Sequence, residues 1–570
     1  MRFFHAPVRW LVCVAWVLLL VRATTAADDA VVSRFAPTAD GGTTYLDQYI
    51  KVRDFDDLKS LAQSASLYDC VPTDPLPQPL DSWSYDDYIK VGFRHRRATW
   101  WNQGLPFWFE TFHRGFVQVD RVELFTLIPS AGDQPICQRI KFSKQDFEYQ
   151  PPLDESTIPA AGHAGVKLIG RFPGTDRAEE VLSFLGSSYF RGRSGDCVYG
   201  ASARGIAIDI AMQKVEEFPD FRAFWITLPA AEDDSLTILA HLDSPSVSGA
   251  YRFRLFPGEA DTRVSVEAEL YFRRVPDKVA YAPLTSMWMW GDGLKGPPKD
   301  ARPGVHDSDG LLIRTADLQW QWRPFARQDY PSVTSTEVEQ LLGFGLIQRN
   351  RAFFHYDDHN ARYDMRPSLW VVPKKPWTDG SIELLELPGA HEGVDNLGAY
   401  WLPKETPEVG RPVALEYDIH FFAGDPPQHN ALARATNLDV TRPDRSVPPK
   451  QADSSGQDAA DTRATDAKVA DAVIGIEVRF TGPSIRGLPS DSPPQAQTSA
   501  VRGVMQNPTL KRTEQGDWIL RAEVIPEGDG PVELEVQLIS AGEPVSEQWT
   551  YLLPPWEPSF VYPAVYTRQE

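Results

Sequence analysis

Cysteine is scarce in this chain of 570 residues, and what there is lies scattered. Cys13 falls in an apolar N-terminal run, which leaves Cys70, Cys137 and Cys197. Three cysteines close at most one bridge, so a disulfide framework is excluded and a large packed core must supply the stability. No Cys-x-x-Cys pair and no histidine-rich spacing is present, so neither a metal site nor a cofactor is expected. Nucleotide-binding glycine patterns are missing too: Gly200-Ala201-Ser202-Ala203-Arg204-Gly205 meets neither phosphate-loop nor dinucleotide spacing. The same stretch lacks a Gly-x-Ser-x-Gly elbow, so no motif makes Ser202 a nucleophile. Positive charge is outweighed: 57 Lys and Arg stand against 78 Asp and Glu, a formal net charge of −21. Such a surface repels nucleic acid and anionic membranes and suits a neutral ligand. The apolar run from Leu11 to Val21 is too short to span a bilayer comfortably. Arg2 and Arg9 precede it and Ala23-Thr24-Thr25-Ala26-Ala27 follow, the pattern of a cleaved secretory signal over residues 1–27. No adjacent arginine pair precedes the run, which fits export of an unfolded chain and no membrane anchor.

What the chain has in quantity is alternation. Residues 28–50 read as a loose polar leader. Phe55, Leu58 and Leu61 then fall at helical spacing behind the capping pair Asp54 and Asp57, predicting a helix from Asp54 to about Gln63. Beyond it a period of two prevails. Tyr251 to Phe256, the turn Pro257-Gly258, and Val264, Val266, Ala268, Leu270 and Phe272 predict an antiparallel pair. Val413 to Phe421, Ile474 to Phe480, Trp518 to Val524 and Val532 to Leu538 alternate likewise. Many such strands between Pro- and Gly-rich turns predict an all-β protein of sheets packed face to face. Composition places one large sandwich over residues 51–405 and a smaller one over 406–570. A polar stretch at about 437–470, rich in Pro, Asp, Ser, Ala and Lys, reads as a flexible insertion.

Chemistry is suggested by carboxylates set beside aromatic runs. Val305-His306-Asp307-Ser308-Asp309-Gly310 precedes Leu311-Leu312-Ile313, and Glu392-Gly393-Val394-Asp395-Asn396 precedes Ala399-Tyr400-Trp401. A glycosidic bond is cleaved by one carboxylic acid that protonates the leaving oxygen and one carboxylate that activates water or attacks carbon. The plainer reading of Asp-Ser-Asp-Gly is a turn, since these residues form turns. As the start of a calcium loop it lacks the further oxygen ligands and the distal glutamate. Trp288 and Trp290, alternate residues of one strand, would share a face and line a groove. Tyr356, Tyr363 and Arg366 gather around Asp357-Asp358, offering rings for the flat face of a sugar and charges for its hydroxyl rim. His306 reads equally as a proton relay or a hydrogen-bonded structural histidine.

Nine ordered motifs carry a resemblance over nearly the whole chain. Among them are Gly104-Leu105-Pro106-Phe107, Tyr199 to Gly205, Leu242-Asp243-Ser244-Pro245-Ser246-Val247, Ala282 to Met287, Val305 to Leu311, Arg366-Pro367-Ser368-Leu369-Trp370 and Asp395-Asn396. With these the sequence resembles the periplasmic glucan biosynthesis protein G/D family, the MdoG/OpgG type. The resemblance implies a large mutarotase-like supersandwich joined to a small immunoglobulin-like sandwich, in the periplasm. It implies a part in making osmoregulated periplasmic glucans. Some members hydrolyse β-1,2-glucan internally with inversion, so the reading is of an inverting endo-β-1,2-glucanase. By position Asp395 would match the general acid and Asp307 the base, with Asp309 a competitor for the second role. Glu392 would supply a like charge that raises the pKa of the acid. Substrate would be gripped by His306, Asp309, Trp288, Trp290, Tyr356, Tyr363, Arg366 and Glu392. Two other readings stand beside it: a non-catalytic glucan-binding partner of an inner-membrane glucan synthase, and a mutarotase-like enzyme, which rests on fold alone. The insertion at 437–470 and the segment Ser335 to Glu339 depart from the family pattern.

Overall fold

The computed structural model describes residues 45–317, 319–389, 391–442, 473–489, 491–558 and 560. Strands hold 49% and helices 8%, which makes the fold all-β, and it is built as packed sheets. The expected signal over 1–27 and most of the leader lie outside the described residues. Among the described residues no helix is long and apolar enough to cross a membrane, and Cys70, Cys137 and Cys197 are free thiols.

One large sheet is assembled by short antiparallel connections. Leu236–Asp243, Val247–Phe256 and Asp261–Phe272 form a meander, and the predicted pairing of Tyr251 to Phe256 with the strand after Pro257-Gly258 is present. Asp261–Phe272 then pairs with Val413–Phe422, which pairs with Ser368–Pro373. A second layer runs from Phe107–His113 through His163–Arg171, Ala178–Leu185, Tyr189–Gly192 and Ser202–Arg204 to Val279–Ser286, Leu397–Pro403 and Trp377–Glu386. The long strand Ser332–Ile347 belongs to both layers. Its first half pairs with Trp377–Glu386, and its second half with Gly310–Thr315 and Ser368–Pro373. Inward residues of the two layers meet in one core, where Phe184 lies 4.9 Å from Phe224 and 5.1 Å from Phe253 between ring centroids.

Period-two alternation explains the second covering. Phe224 points into the core while Trp225 points out, stacked on Phe125 at 5.4 Å and covered by the helix Phe55–Ala65. That helix starts where expected: the Asp54 carboxylate accepts from the Asp57 backbone N–H at 2.9 Å, which satisfies an otherwise orphan donor. The short helix Tyr45–Tyr49 precedes it, with Tyr49 hydrogen-bonded to His241 at 3.0 Å.

A smaller sandwich faces Arg434–Thr441, Ile474–Thr481, Trp518–Pro526 and Gly503–Arg512 against Gln495–Val501, Val532–Ser540 and Gln548–Leu553. Its core also takes in Trp320, Trp322 and Trp370 from the outer face of the large sheet. Gln548–Leu553 runs parallel to Trp320–Pro324, so the two sandwiches share a sheet. Two strands bear on the expected boundaries. The strand Val413–Phe422, beyond the division expected at 405, is paired on both edges within the large sheet; its Leu415, Tyr417, Ile419 and Phe421 lie in the large core and its Phe422 in the smaller one. The insertion expected from 437 begins later, because Leu438 is buried in the strand Arg434–Thr441; residues 443–470 lie outside the described residues.

Candidate functional site

Two pairings bring the distant acidic segments together. Val279–Ser286 pairs with Leu397–Pro403, setting Thr285 opposite Gly398. Just before that strand, Asn396 acts as a pin. Its N–H donates to the Ser286 carbonyl at 3.0 Å, and its side-chain amide accepts from Trp288 N–H at 2.8 Å and donates to Trp288 O at 2.9 Å. The preceding residue, Asp395, is half-buried and accepts from the Thr285 hydroxyl at 2.8 Å. The strand Trp288–Trp290 pairs with Val305–His306, and the next residue, Asp307, donates its N–H to Met287 O at 2.8 Å. Asp307 is thereby delivered beside the segment that holds Asp395.

The Asp307 side chain is 4% exposed, and its Oδ1 has no hydrogen-bond partner although Arg366 Nε lies 3.6 Å away. Burial pushes its pKa up. The Arg366 guanidinium opposes that shift, Asp395 adds to it, Arg191 opposes it, and Glu392 adds again. A desolvated, underpartnered carboxylate within the field of two other acids and two arginines makes Asp307 a candidate for proton transfer.

Glu392 is itself clamped. Arg302 donates to both of its oxygens, at 2.6 and 3.0 Å, and the Tyr363 hydroxyl donates to Oε2 at 2.6 Å. Arg302 also holds Asp300 at 2.6 Å and Asp358 at 2.8 Å. Arg366 is oriented by the Tyr199 carbonyl at 2.6 Å and the Ala361 carbonyl at 3.1 Å, with its guanidinium 5.3 Å from the centre of the Tyr363 ring. Gly200 makes room for it: a Cβ there would stand 3.1 Å from the Arg366 Cβ. Structural need accounts for this glycine of the Tyr199 to Gly205 motif.

The remaining expected residues separate from the carboxylate pair. Asp309 is tied to Asn350, accepting from its N–H at 2.8 Å and from its side-chain amide at 3.1 Å, and it lies 3.6 Å from His306 Nε2. His306 is 2% exposed and sits 3.0 Å from Gln348 Oε1; burial lowers its pKa, which keeps the ring neutral at neutral pH. The structural reading of His306 thus has its partners in place. Tyr356 is fully buried, its hydroxyl donating to Asn350 O at 2.9 Å. Trp288 and Trp290 are each 4% exposed and belong to the core. Their strand is three residues long with an irregular register, and Trp290 Nε1 donates to Arg302 O at 2.9 Å, so they present no common open face. Trp288 and Asp309 instead border a small cavity of about 20 Å³, with Asp292, Trp322, Asn350 and Leu438. That is room for about one water. Burial, then Asp309, pushes Asp292 up to about 7.

Several neighbours of the acidic pair had no signal of their own in the sequence. Thr285 holds Asp395. Arg191 acts on Asp307 and donates to Ser202 Oγ at 2.6 Å. The Tyr189 phenol is pushed up to about 12 by burial, with Arg204 opposing and Glu216 and Asp395 adding. The Ala282 to Met287 and Tyr199 to Gly205 motifs lie on the strands concerned, but only strand pairing shows which of their side chains reach the acids. Among the described residues, no group of three or more His, Cys, Asp or Glu side chains is arranged to hold a metal ion.

A family model described as "Periplasmic glucan biosynthesis protein, MdoG" matches residues 54–553. Among solved structures, the galactosidase domain of an α-galactosidase–sucrose kinase is similar at 9% identity and a TM-score of 0.24, over 46% of this chain and 39% of that one. The α-galactosidase from Lactobacillus brevis shows 7% identity and a TM-score of 0.23, over 46% and 38%. A polysaccharide lyase shows 11% identity and a TM-score of 0.16, over 69% and 44%. The chain spans less than half the length of each of these three structures, and superpositions this weak carry no argument.

Proposed function

This chain belongs to the MdoG family of periplasmic glucan biosynthesis proteins, and from that premise we propose that it cleaves β-1,2-linked glucan internally, with inversion. Membership carries a role in periplasmic glucan biosynthesis; hydrolysis is the finer reading. The observation that supports it is the Asp307 carboxylate, buried, with one oxygen unpartnered, in the electrostatic field of Asp395. Asp395 protonates the glycosidic oxygen as the bond to the anomeric carbon breaks. Asp307 takes a proton from the water that attacks that carbon from the opposite face. A carboxylate held above its ordinary range is a stronger base than a solvated one, and the shift of Asp307 serves that role.

The base works only when ionised. Cleavage should therefore fall on the acid side with an apparent pKa above the usual aspartate value of about 3.9, because the Asp307 shift is upward. A pH–rate profile of kcat on linear β-1,2-glucan reads this directly. An acid limb at or below the ordinary value counts against Asp307.

Asp307 and Asp309 separate by substitution. Asp307→Asn is expected to remove most cleavage. Asp309→Asn should act mainly on stability, since it disturbs the contacts to Asn350 and His306. The reverse pattern in initial rates and melting temperatures would move the base role to Asp309. Incubation of the protein with linear β-1,2-glucan, followed by product sizing and NMR of the newly formed anomer, tests the whole reading. Shortened chains with the α-anomer formed first support inverting cleavage. Saturable binding with no shortening leaves a glucan-holding partner of the membrane synthase, a reading favoured by how far the Asp307 side chain is enclosed.

A further inference from the structure

We propose that a cavity of about 250 Å³, bounded by residues 117–122, 185–189 and 218–221, is a separate binding subsite for one neutral pyranose ring. The identity of that ring as glucose rests on the glucan reading above; the subsite rests on its own lining. A volume of this size admits several water molecules and leaves room for one sugar ring. The lining joins the two surfaces that a sugar needs. Phe218 and Tyr189 offer aromatic carbon, and Gln118, Ser187, Asp120 and Asp220 offer hydrogen-bonding groups.

The wall is pre-organised. The buried Arg204 guanidinium lies 4.8 Å from the Phe218 ring and 5.1 Å from the Tyr189 ring, and pairs with Glu216 at 2.8 Å. Gly186 and Ser187 both take left-handed backbone, with φ of 78° and 46°, and the Ser187 hydroxyl donates to Pro219 O at 2.8 Å. Gln118 supplies a second, independent sign. It is 2% exposed, yet neither its amide nitrogen nor its amide oxygen has a hydrogen-bond partner. A buried amide unpaired at both ends is costly, and a small side-chain rotation toward a ligand hydroxyl satisfies it. Asp220 is pushed up to about 7 by burial and then by the like charge of Asp120. A carboxyl partly protonated at neutral pH both donates to and accepts from a neutral hydroxyl, and it attracts cations less than an ionised pair does. Tyr189, which lines the cavity, also lies within the electrostatic field of Asp395.

The test is titration of the full chain with D-glucose and with the β-1,2-linked glucose disaccharide, followed by calorimetry. The wild-type chain is expected to bind at least one of them saturably. Gln118→Leu and Asp220→Ala should each weaken that binding by tenfold or more, while Asp395→Asn leaves it within about twofold. Melting temperatures identify variants that fold, and either folded cavity variant suffices. Absence of saturable binding by the wild-type chain, or unchanged binding in a folded cavity variant, overturns the proposal. So does displacement of the sugar by calcium, which would make the cavity a cation site. Failure of the hydrolytic reading shows elsewhere, as linear glucan that is never shortened, and leaves this titration intact.

Discussion

Asp395→Asn is expected to slow cleavage of linear β-1,2-glucan by about 10²–10⁴-fold, the usual contribution of a positioned acid. The substitution keeps size and an acceptor for the Thr285 hydroxyl, which lies 2.8 Å from the carboxylate in the native chain. Asp395 is only half-buried, so the fold has little reason to respond. An unchanged melting temperature beside a collapsed rate is therefore the expected pair of results. The role as acid, rather than base, is read from the leaving group. From a glucan chain capped with an activated phenol the phenolate departs without a proton, so cleavage of that bond should survive Asp395→Asn far better than cleavage of the natural polymer. For Asp307→Asn no such rescue is expected, because water still needs a base. Full activity of Asp395→Asn on the natural polymer would place the acid elsewhere.

The largest expected effect on stability lies where the two sandwiches meet. Arg349 donates to both oxygens of Glu547, at 2.7 and 2.8 Å, and to Asp425 at 2.7 Å and Ala435 O at 2.8 Å. Its guanidinium lies 3.7 Å from the centre of the Trp322 ring, and His429 Nε2 is 3.1 Å from Glu547. Glu547 is fully buried. Glu547→Leu would leave Arg349 enclosed with two of these four hydrogen bonds gone, at a cost of about 3–5 kcal/mol. Thermal or denaturant unfolding measures it, and a loss within experimental scatter would show the clasp to be idle. The pH dependence has a definite sign. Burial opposes ionisation of Asp425 and Glu547, but Arg349 and His429 outweigh it and hold both carboxyls below the usual range. Their contribution is present above the unfolded carboxylate pKa and is lost as pH falls through the folded values. His429 is raised, because Glu547 and Asp425 outweigh its burial, so its share is present below about 6.5 and is lost as pH rises through its folded value. Wild-type melting temperature should decline on both sides, and Glu547→Leu should flatten both limbs.

How much of this was legible in the sequence depends on the range over which each signal acts. The helix Phe55–Ala65 was readable because its cap and its buried positions Phe55, Leu58 and Leu61 are local. The strands around Pro257-Gly258 were readable because alternation and turn lie side by side. The fates of Trp288 and Trp290 were not, since alternation fixes a shared face only in a regular strand, and here the register slips between them. Nor does sequence choose between Asp307 and Asp309, which differ by one alternation step. What separates them is Asn350, beyond the far end of Ser332–Ile347, which binds Asp309, whereas Asp307 keeps an unpartnered oxygen within the electrostatic field of Asp395. Glu392 was foreseen as a charged neighbour; its charge adds to the shift of Asp307, and Arg302 and Tyr363 fix its place. Thr285 and Tyr189 gave no sign, because their roles come from partners across the sheet. Leu438 and Val440 stand among polar neighbours, which hides the strand Arg434–Thr441 in the sequence.

The parallel pairing of Gln548–Leu553 with Trp320–Pro324 bears on how the molecule is made. A seam between segments so remote cannot close until almost the whole polypeptide is available, and non-local closures of this kind are slow. Until then Trp320–Pro324 offers an unpaired margin to any passing chain. Nonsense variants ending shortly before Gln548 should accumulate as aggregates rather than as a shortened soluble chain, which fractionation of cell extracts measures.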